Sequence, residues 1–504
     1  MRFVSCRLAF LSLSLLITTA AAVGQPLTPA PAPYAVGLHI VQQFDASRGA
    51  TPKLAIFDDG KPAGAARPMQ TLVWYPAQAA GTAHVRYLDY LQSSMRADDF
   101  TLSAAALANA SKKWEGNPAA QATMLAVRDA KAASGTFPVV IYAPSFNADP
   151  DENADLCEYL ASHGYIVLAS ASRGARTRGM TDDVDGVEAQ AADIAWLASY
   201  AATVPGADLS RLGVAGFSWG GLANVFAASR SGRIKALVSL DGSVRYYPQL
   251  IAASGSVTPA NTAVPMLSIG ARPPTMEQLT ERDRTTPASF LNKMVFSDVY
   301  LATMQPMAHR DFAGQSIRLS ADATFADYSR ADVREAYSWT GRYTRAFLDV
   351  YLKQDAAALA FLKAPPVANG VPKHMMRMQV RPAAASAPSK AGFVAEFKRR
   401  QFRDAAAIHD AMVKSDPGFK LYGTELKALG EELLRKKHPQ GAIELFKLGI
   451  VLAPRWGDLQ SGLGEAYEAA GEPKLALAAY EAALVLDAKL VGAGARVKVL
   501  RQTK

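Results

Sequence analysis

Short apolar runs, many of them β-branched, recur along the chain: Pro138–Ala143, Tyr165–Ala169, Arg211–Gly216, Ala236–Leu240, Pro265–Ile269 and Val299–Met304. Between several of them lie stretches with helical spacing, Asp151–His163, Gly186–Tyr200 and Leu222–Ser229. A run that is apolar throughout predicts a strand buried on both faces. Strands that alternate with helices at this interval predict a mostly parallel sheet with helices on both faces. Tyr34–Phe44 and Met69–Tyr75 alternate only in part, which predicts antiparallel strands at one edge. From Asp327 to Leu362 the spacing is helical again, with Tyr337, Trp339, Tyr343 and Phe347 supplying bulk.

Residues 365–392 are rich in Pro, Ala and Ser and lack apolar periodicity, so they read as a linker. It divides an α/β unit, residues 33–364, from an all-α unit, residues 393–504. The second unit carries an internal offset of 34 positions: Leu429-Gly430 returns as Leu463-Gly464, Ala442 as Ala476, and Phe446 as Tyr480. This pattern resembles the tetratricopeptide repeat, in which small residues let aromatic ones pack between antiparallel helices. Pro454 is answered by Ala488, a departure, and Phe393–Pro417 reads as a degenerate third unit.

The first residues read as an export signal: basic Arg2 and Arg7, an apolar run from Leu8 to Ile17, and Ala20-Ala21-Ala22 before residue 24. The run is short for a bilayer span of about 20 residues. Residues 1–24 are therefore expected to be a cleaved signal peptide, the protein to be periplasmic or secreted, and the mature chain to have no transmembrane segment. Cys157 is then the one thiol left, in an apolar helical pattern that suits a buried hydrophobe. The formal charge of +9 becomes +7 without Arg2 and Arg7 and is spread along the chain, so no nucleic-acid partner is expected.

The chemistry centres on Gly216-Phe217-Ser218-Trp219-Gly220, a G-x-S-x-G pattern between a strand and a helix. In such a nucleophile elbow the serine sits on a tight, strained turn that leaves no room for neighbouring side chains. A serine hydroxyl needs a base. Of seven histidines, three precede the serine, and three lie in the linker or the helical unit. His309 remains, directly after the last strand run. Asp241 follows the run Ala236–Leu240 and is the candidate carboxylate. The next strand run ends in Gly270-Ala271-Arg272-Pro273-Pro274 without an acid, and Glu277, Glu281 and Asp283 read as solvated charges. Asp149, Asp151, Asn153 and Asp155 alternate like a calcium loop, but Ala154 and Leu160 occupy its glycine and glutamate positions, so they read as helix N-terminal acids. Arg173, Arg176 and Arg178 lie in a loop near the expected site, either facing an anionic substrate or paired with acids such as Asp182 and Asp183. No G-x-x-x-x-G-K-[ST], G-x-G-x-x-G or H-E-x-x-H pattern occurs, and neither cofactor nor metal is expected.

Taken in order, "PVVIYAPSFN", "LASHGYIVLAS", "GFSWGG", "VSLDG" and "AHRDF" resemble the α/β-hydrolase fold, and within it the platelet-activating-factor acetylhydrolase and dienelactone-hydrolase-like esterases. The resemblance spans Pro33 to Leu362 and implies an oxyanion hole from the backbone N–H groups of Trp219 and Phe146. Pro144-Ser145 replaces that group's His-Gly pair, and Ser218 stands where dienelactone hydrolases proper use cysteine. The expectation is an exported serine esterase, lipase-like in class, with Ser218, His309 and Asp241 as its triad, acting on a small ester or lipid substrate. Residues 102–133, helical in composition, are expected to contribute a lid or pocket wall. Two alternatives stay open: a peptidase or amidase on the same fold, and a protein that binds a peptide or protein partner through the repeat unit beside a degenerate hydrolase.

Overall fold

The computed structural model describes Leu27 and residues 32–49, 66–78, 83–175, 178–273, 289–325 and 327–502. The signal read in residues 1–24 lies outside the described residues, as do Arg176, Glu277, Glu281 and Asp283.

The apolar runs become strands. In chain order they are β1 (Ala35–Gly49), β2 (Ala66–Ala77), β3 (His84–Arg86), β4 (Thr123–Arg128), β5 (Phe137–Ala143), β6 (Ile166–Ser170), β7 (Ala207–Phe217), β8 (Ile234–Leu240), β9 (Met266–Ala271), β10 (Val299–Met304) and β11 (Met376–Arg381). Among the described residues they form one sheet in the order β11-β10-β9-β8-β7-β5-β6-β2-β1-β4-β3. The six strands from β6 to β10 run parallel, while β2 and β11 close the two sides of that set antiparallel. Between β6 and β7 the chain crosses to the other side of β5. The carboxyl ends of β5 and β7 therefore flank a topological switch point, where open α/β sheets place their ligand crevice.

The named helices in the same unit are α1 (Tyr87–Ser94), α2 (Ala104–Ser111), α3 (Ala154–Ser162), α4 (Val184–Tyr200), α5 (Trp219–Ala228), α6 (Gly314–Leu319) and α7 (Arg330–Lys353). Alternation along β5 divides the core between two faces. Val140 and Tyr142 pack with Leu156 of α3 and Phe347 of α7, whereas Val139 and Ile141 pack with Ile194 of α4 and Phe226 of α5. Cys157 is fully buried in the first of these layers.

Two stretches differ from the sequence reading. Residues 102–133 hold α2, but also β4, whose buried and exposed positions alternate and which pairs parallel with β1. That strand lies five places from β7, roughly 24 Å at the usual strand spacing. Six residues of the expected lid are thus strand, made by a period-2 pattern inside an alanine-rich segment. Likewise, residues 365–392 are not a featureless linker. β11 lies within them, pairs along its whole length with β10, and buries Met376 in the core beside α7. The α/β unit therefore runs on to Arg381.

Between Lys390 and Gln502 the described chain forms seven helices, and neighbours in sequence pack on one another. Gly430 lies under the ring of Phe446, where an added Cβ would come within 2.8 Å of it. Gly464 lies in the same way under Tyr480, at 2.7 Å. These are the pairs related by the 34-residue offset.

Helix α3 carries an unusual load of buried acids. Glu158 is fully buried, accepts from Tyr90 Oη at 2.6 Å and from the Leu125 N–H at 2.7 Å, and burial pushes its pKa up to about 7. A carboxyl raised above its unfolded value holds its proton more tightly when folded. Its stabilising contribution is complete below about pH 4.5 and is lost as pH rises toward 7. Glu158→Gln is expected to gain stability over the native protein between pH 5 and pH 8, by up to roughly 3 kcal/mol. Urea midpoints measured across that range check it, and parallel pH profiles for the two proteins contradict it.

Candidate active site

Ser218 stands between the end of β7 and the start of α5, with φ 54° and ψ −115°, in a region that residues with side chains rarely occupy. The turn is possible because its flanks are bare. A Cβ on Gly216 would sit 2.4 Å from the Gly220 carbonyl carbon, and one on Gly220 would sit 2.0 Å from the Ala143 oxygen. The turn is pinned through its main chain. The Ser218 N–H donates to the Leu240 carbonyl at 3.0 Å, and the Ser218 carbonyl accepts from the N–H groups of Gly221 and Ser243. The nucleophile turn is thereby fastened to the end of β8, the strand that delivers Asp241.

Asp241, itself at φ 39°, is 5 % exposed. One carboxylate oxygen accepts from the Ala271 N–H at 2.9 Å, and the other lies 2.6 Å from His309 Nδ1. His309 opens a short 3-10 turn just after β10, and its Nε2 lies 2.9 Å from Ser218 Oγ. Three side chains that are 23 and 68 residues apart thus form one hydrogen-bonded line at the carboxyl edge of the sheet. The imidazole is half exposed, so the line opens toward solvent, and the ring of Phe217 packs 5.0 Å from it. Such a line can take a proton from a serine hydroxyl and hand it to a leaving group.

Trp219 is the first residue of α5, where N–H groups have no intrahelical acceptor. The loop after β5 supplies the opposite wall. Ser145 donates its N–H to Glu152 at 2.9 Å, and Pro144 has none, so the first uncommitted N–H of that loop among the described residues belongs to Phe146. Phe146 packs edge-on to the Trp219 ring at 5.4 Å, and Trp219 packs edge-on to Tyr247 at 5.5 Å. The two residues whose N–H groups the resemblance implies as oxyanion donors therefore lie in contact, one after β5 and one after β7.

The other candidates fall elsewhere. Arg173 pairs with Asp98 at 2.8 Å and Asp149 at 2.5 Å, and Arg178 pairs with Asp98. For these two arginines the acids are Asp98 and Asp149, and the charge of Arg173 goes to bracing the loop around Asn147 rather than to solvent. Of the four residues that alternate like a calcium loop, Asp155 pairs with the buried Arg318 and Asn153 bonds the backbone around Phe312 and Gly314. Among the described residues no cluster of His, Cys, Asp and Glu side chains is arranged to hold a metal ion. Glu152 is the residue that sequence reasoning passed over. It looked like one more helix-terminal acid, yet it is 6 % exposed and bonds to Tyr142 and Ser145 at the end of β5.

A parallel sheet with a nucleophile turn after one strand, an acid after the next and a histidine after the last defines the α/β-hydrolase class. Residues 90–362 match the model of the X-Pro dipeptidyl-peptidase (S15 family), more than half of the chain, and the protein belongs to that family. Among solved structures it is similar to a ferulic acid esterase from Streptomyces cinnamoneus, with 21% identity, a TM-score of 0.50, and 71% of this chain and 99% of that one covered; at this identity the likeness speaks for the fold alone. No curated protein sequence matches the chain. The family found is not the acetylhydrolase group that the motifs resemble. Family and site together make the protein a serine hydrolase.

Proposed function

We propose that the protein is an exported serine esterase that cleaves small carboxylic esters through an acyl-enzyme on Ser218. The observation that carries this reading is the unbroken line from Ser218 Oγ through His309 to Asp241, with the serine held at a positive φ. In the proposed cycle Ser218 Oγ attacks the ester carbonyl while His309 Nε2 takes its proton. Asp241 keeps the imidazole in the tautomer with the proton on Nδ1 and stabilises the imidazolium. The N–H groups of Trp219 and Phe146 receive the oxyanion. The alcohol leaves with the proton from His309, and water repeats the sequence to release the acid.

Export rests on the pattern of residues 1–24, and no helix among the described residues is long and apolar enough to cross a membrane. The glycine–aromatic pairs of the C-terminal helices support a tetratricopeptide-like stack that serves as an adaptor for a protein or peptide. A second reading, cleavage of peptides, is favoured by the family itself.

The purified chain is expected to carry a fluorophosphonate label on Ser218, mapped by mass spectrometry, and to turn over nitrophenyl acetate or butyrate. Hydrolysis of X-Pro nitroanilides with inert esters would move the assignment to the peptidase. A failure to label Ser218 would remove both.

A further inference from the structure

The carboxyl group of Glu152 is buried and has no cation beside it among the described residues. Burying a carboxyl group costs free energy, and here no ion pair offsets it. What it has instead is three donors from the strand and loop that lead to the crevice. Ser145 donates both its N–H and its hydroxyl to Glu152, and Tyr142 Oη donates at 3.2 Å. Burial pushes the pKa of the group up to about 7 against these hydrogen bonds, which favour the charged form.

The next link follows from the planarity of the peptide unit. The Phe146 N–H belongs to the same rigid plane as the Ser145 carbonyl. That carbonyl accepts from the Ala148 N–H at 3.1 Å, in a turn whose Asn147 has φ 59°. With its N–H and hydroxyl fixed by Glu152 and its carbonyl fixed by Ala148, Ser145 has no freedom to rotate. The direction of the Phe146 N–H is set by these bonds. The His-Gly pair of the resembled esterases is absent, and this chain anchors the loop from below.

The same segment also reaches the histidine side. The Glu152 carbonyl accepts from the Gln315 N–H at 3.1 Å. Asn153 accepts from the Gly314 N–H at 2.7 Å and donates to the Phe312 carbonyl at 2.9 Å, three residues past His309. Its amide also meets Tyr142 Oη, the group that donates to Glu152. Two consecutive buried residues thus clamp the loop of Phe146 to the loop of His309.

We propose that Glu152 is a positioning residue for the oxyanion half-site, aiming the Phe146 N–H through Ser145, with Asn153 holding the histidine loop at a fixed distance from it. This rests on the serine-hydrolase reading above. A donor aimed at the oxyanion acts in the transition state more than in the ground state, so its misalignment lowers kcat and leaves KM in place.

The test uses the full chain with nitrophenyl acetate, and kcat is referred to active sites titrated with a fluorophosphonate. Glu152→Ala is expected to lower kcat per site at least tenfold, toward the roughly 10²–10³-fold lost when a donor is removed outright, with KM within about threefold. Glu152→Gln keeps an acceptor for the Ser145 N–H and is expected to stay within about threefold of the native kcat. Should the alanine variant not fold, Glu152→Met, which fills the same space without a carboxylate acceptor, replaces it. The methionine variant is then expected to show the same loss of kcat, with KM within about threefold.

A native kcat in Glu152→Ala or its methionine replacement overturns the proposal, as does a loss carried by KM or a glutamine variant as impaired as either. Ser218 labelling in the native protein separates the two levels. If it is absent, the serine-hydrolase reading falls and the proposal with it. If it is present and kcat is indifferent to Glu152, the proposal falls alone.

Discussion

Ser218→Ala is expected to lower kcat for a nitrophenyl ester by roughly 10⁴–10⁶-fold, the range measured when a member of a triad is removed. The turn survives the change. Among the described residues the side chain of Ser218 bonds only to His309, whereas the turn is held by main-chain bonds to Leu240, Gly221 and Ser243 that alanine keeps. Alanine meets the same positive φ that serine already tolerates, so the melting temperature is expected to move little. Residual turnover near the native rate, in a preparation free of native enzyme, would mean that another group does the chemistry.

Asp241→Asn is expected to lower kcat by about 10⁴-fold, with KM changed only a few-fold. The environment of Asp241 explains the size. One of its oxygens accepts from the Ala271 N–H and the other faces His309 Nδ1. An asparagine can offer only one acceptor. With its oxygen toward Ala271, its NH₂ faces Nδ1 and selects the tautomer that carries the proton on Nε2, where it cannot receive one from serine. With its oxygen toward His309, two N–H groups confront each other at Ala271. Either arrangement disables the base or strains the end of β9. Steady-state kinetics on the asparagine variant decide it, and a fall of less than about tenfold would argue that Asp241 does not orient the imidazole.

Much of this site was legible in the sequence because its constraints are local. The glycines around Ser218 report a backbone that admits no Cβ, and a fully apolar run before them reports a strand buried on both faces. Asp241 and His309 could be chosen because each directly follows such a run. What escaped was non-local. Glu152 sits in a polar stretch, Asp149–Asn153, that has the composition of a solvated helix start, and only the fold shows loops closing over it. β4 and β11 escaped for another reason. Each buries one face only, within alanine- or proline-rich surroundings, so the alternation is brief and outweighed by its neighbours. Arg173 was correctly suspected of pairing, but its partner Asp98 lies 75 positions away, where spacing carries no information.

The last strand of the sheet has a practical bearing. β11 covers the hydrogen-bonding edge of β10, and it comes from the stretch that composition alone would discard as a tether. A chain cut at residue 364 would bare a row of unpaired amides and carbonyls on β10, an invitation to edge-to-edge association between molecules. The catalytic half and the helical half are therefore best separated after Arg381, where the shared seam has already been sewn shut.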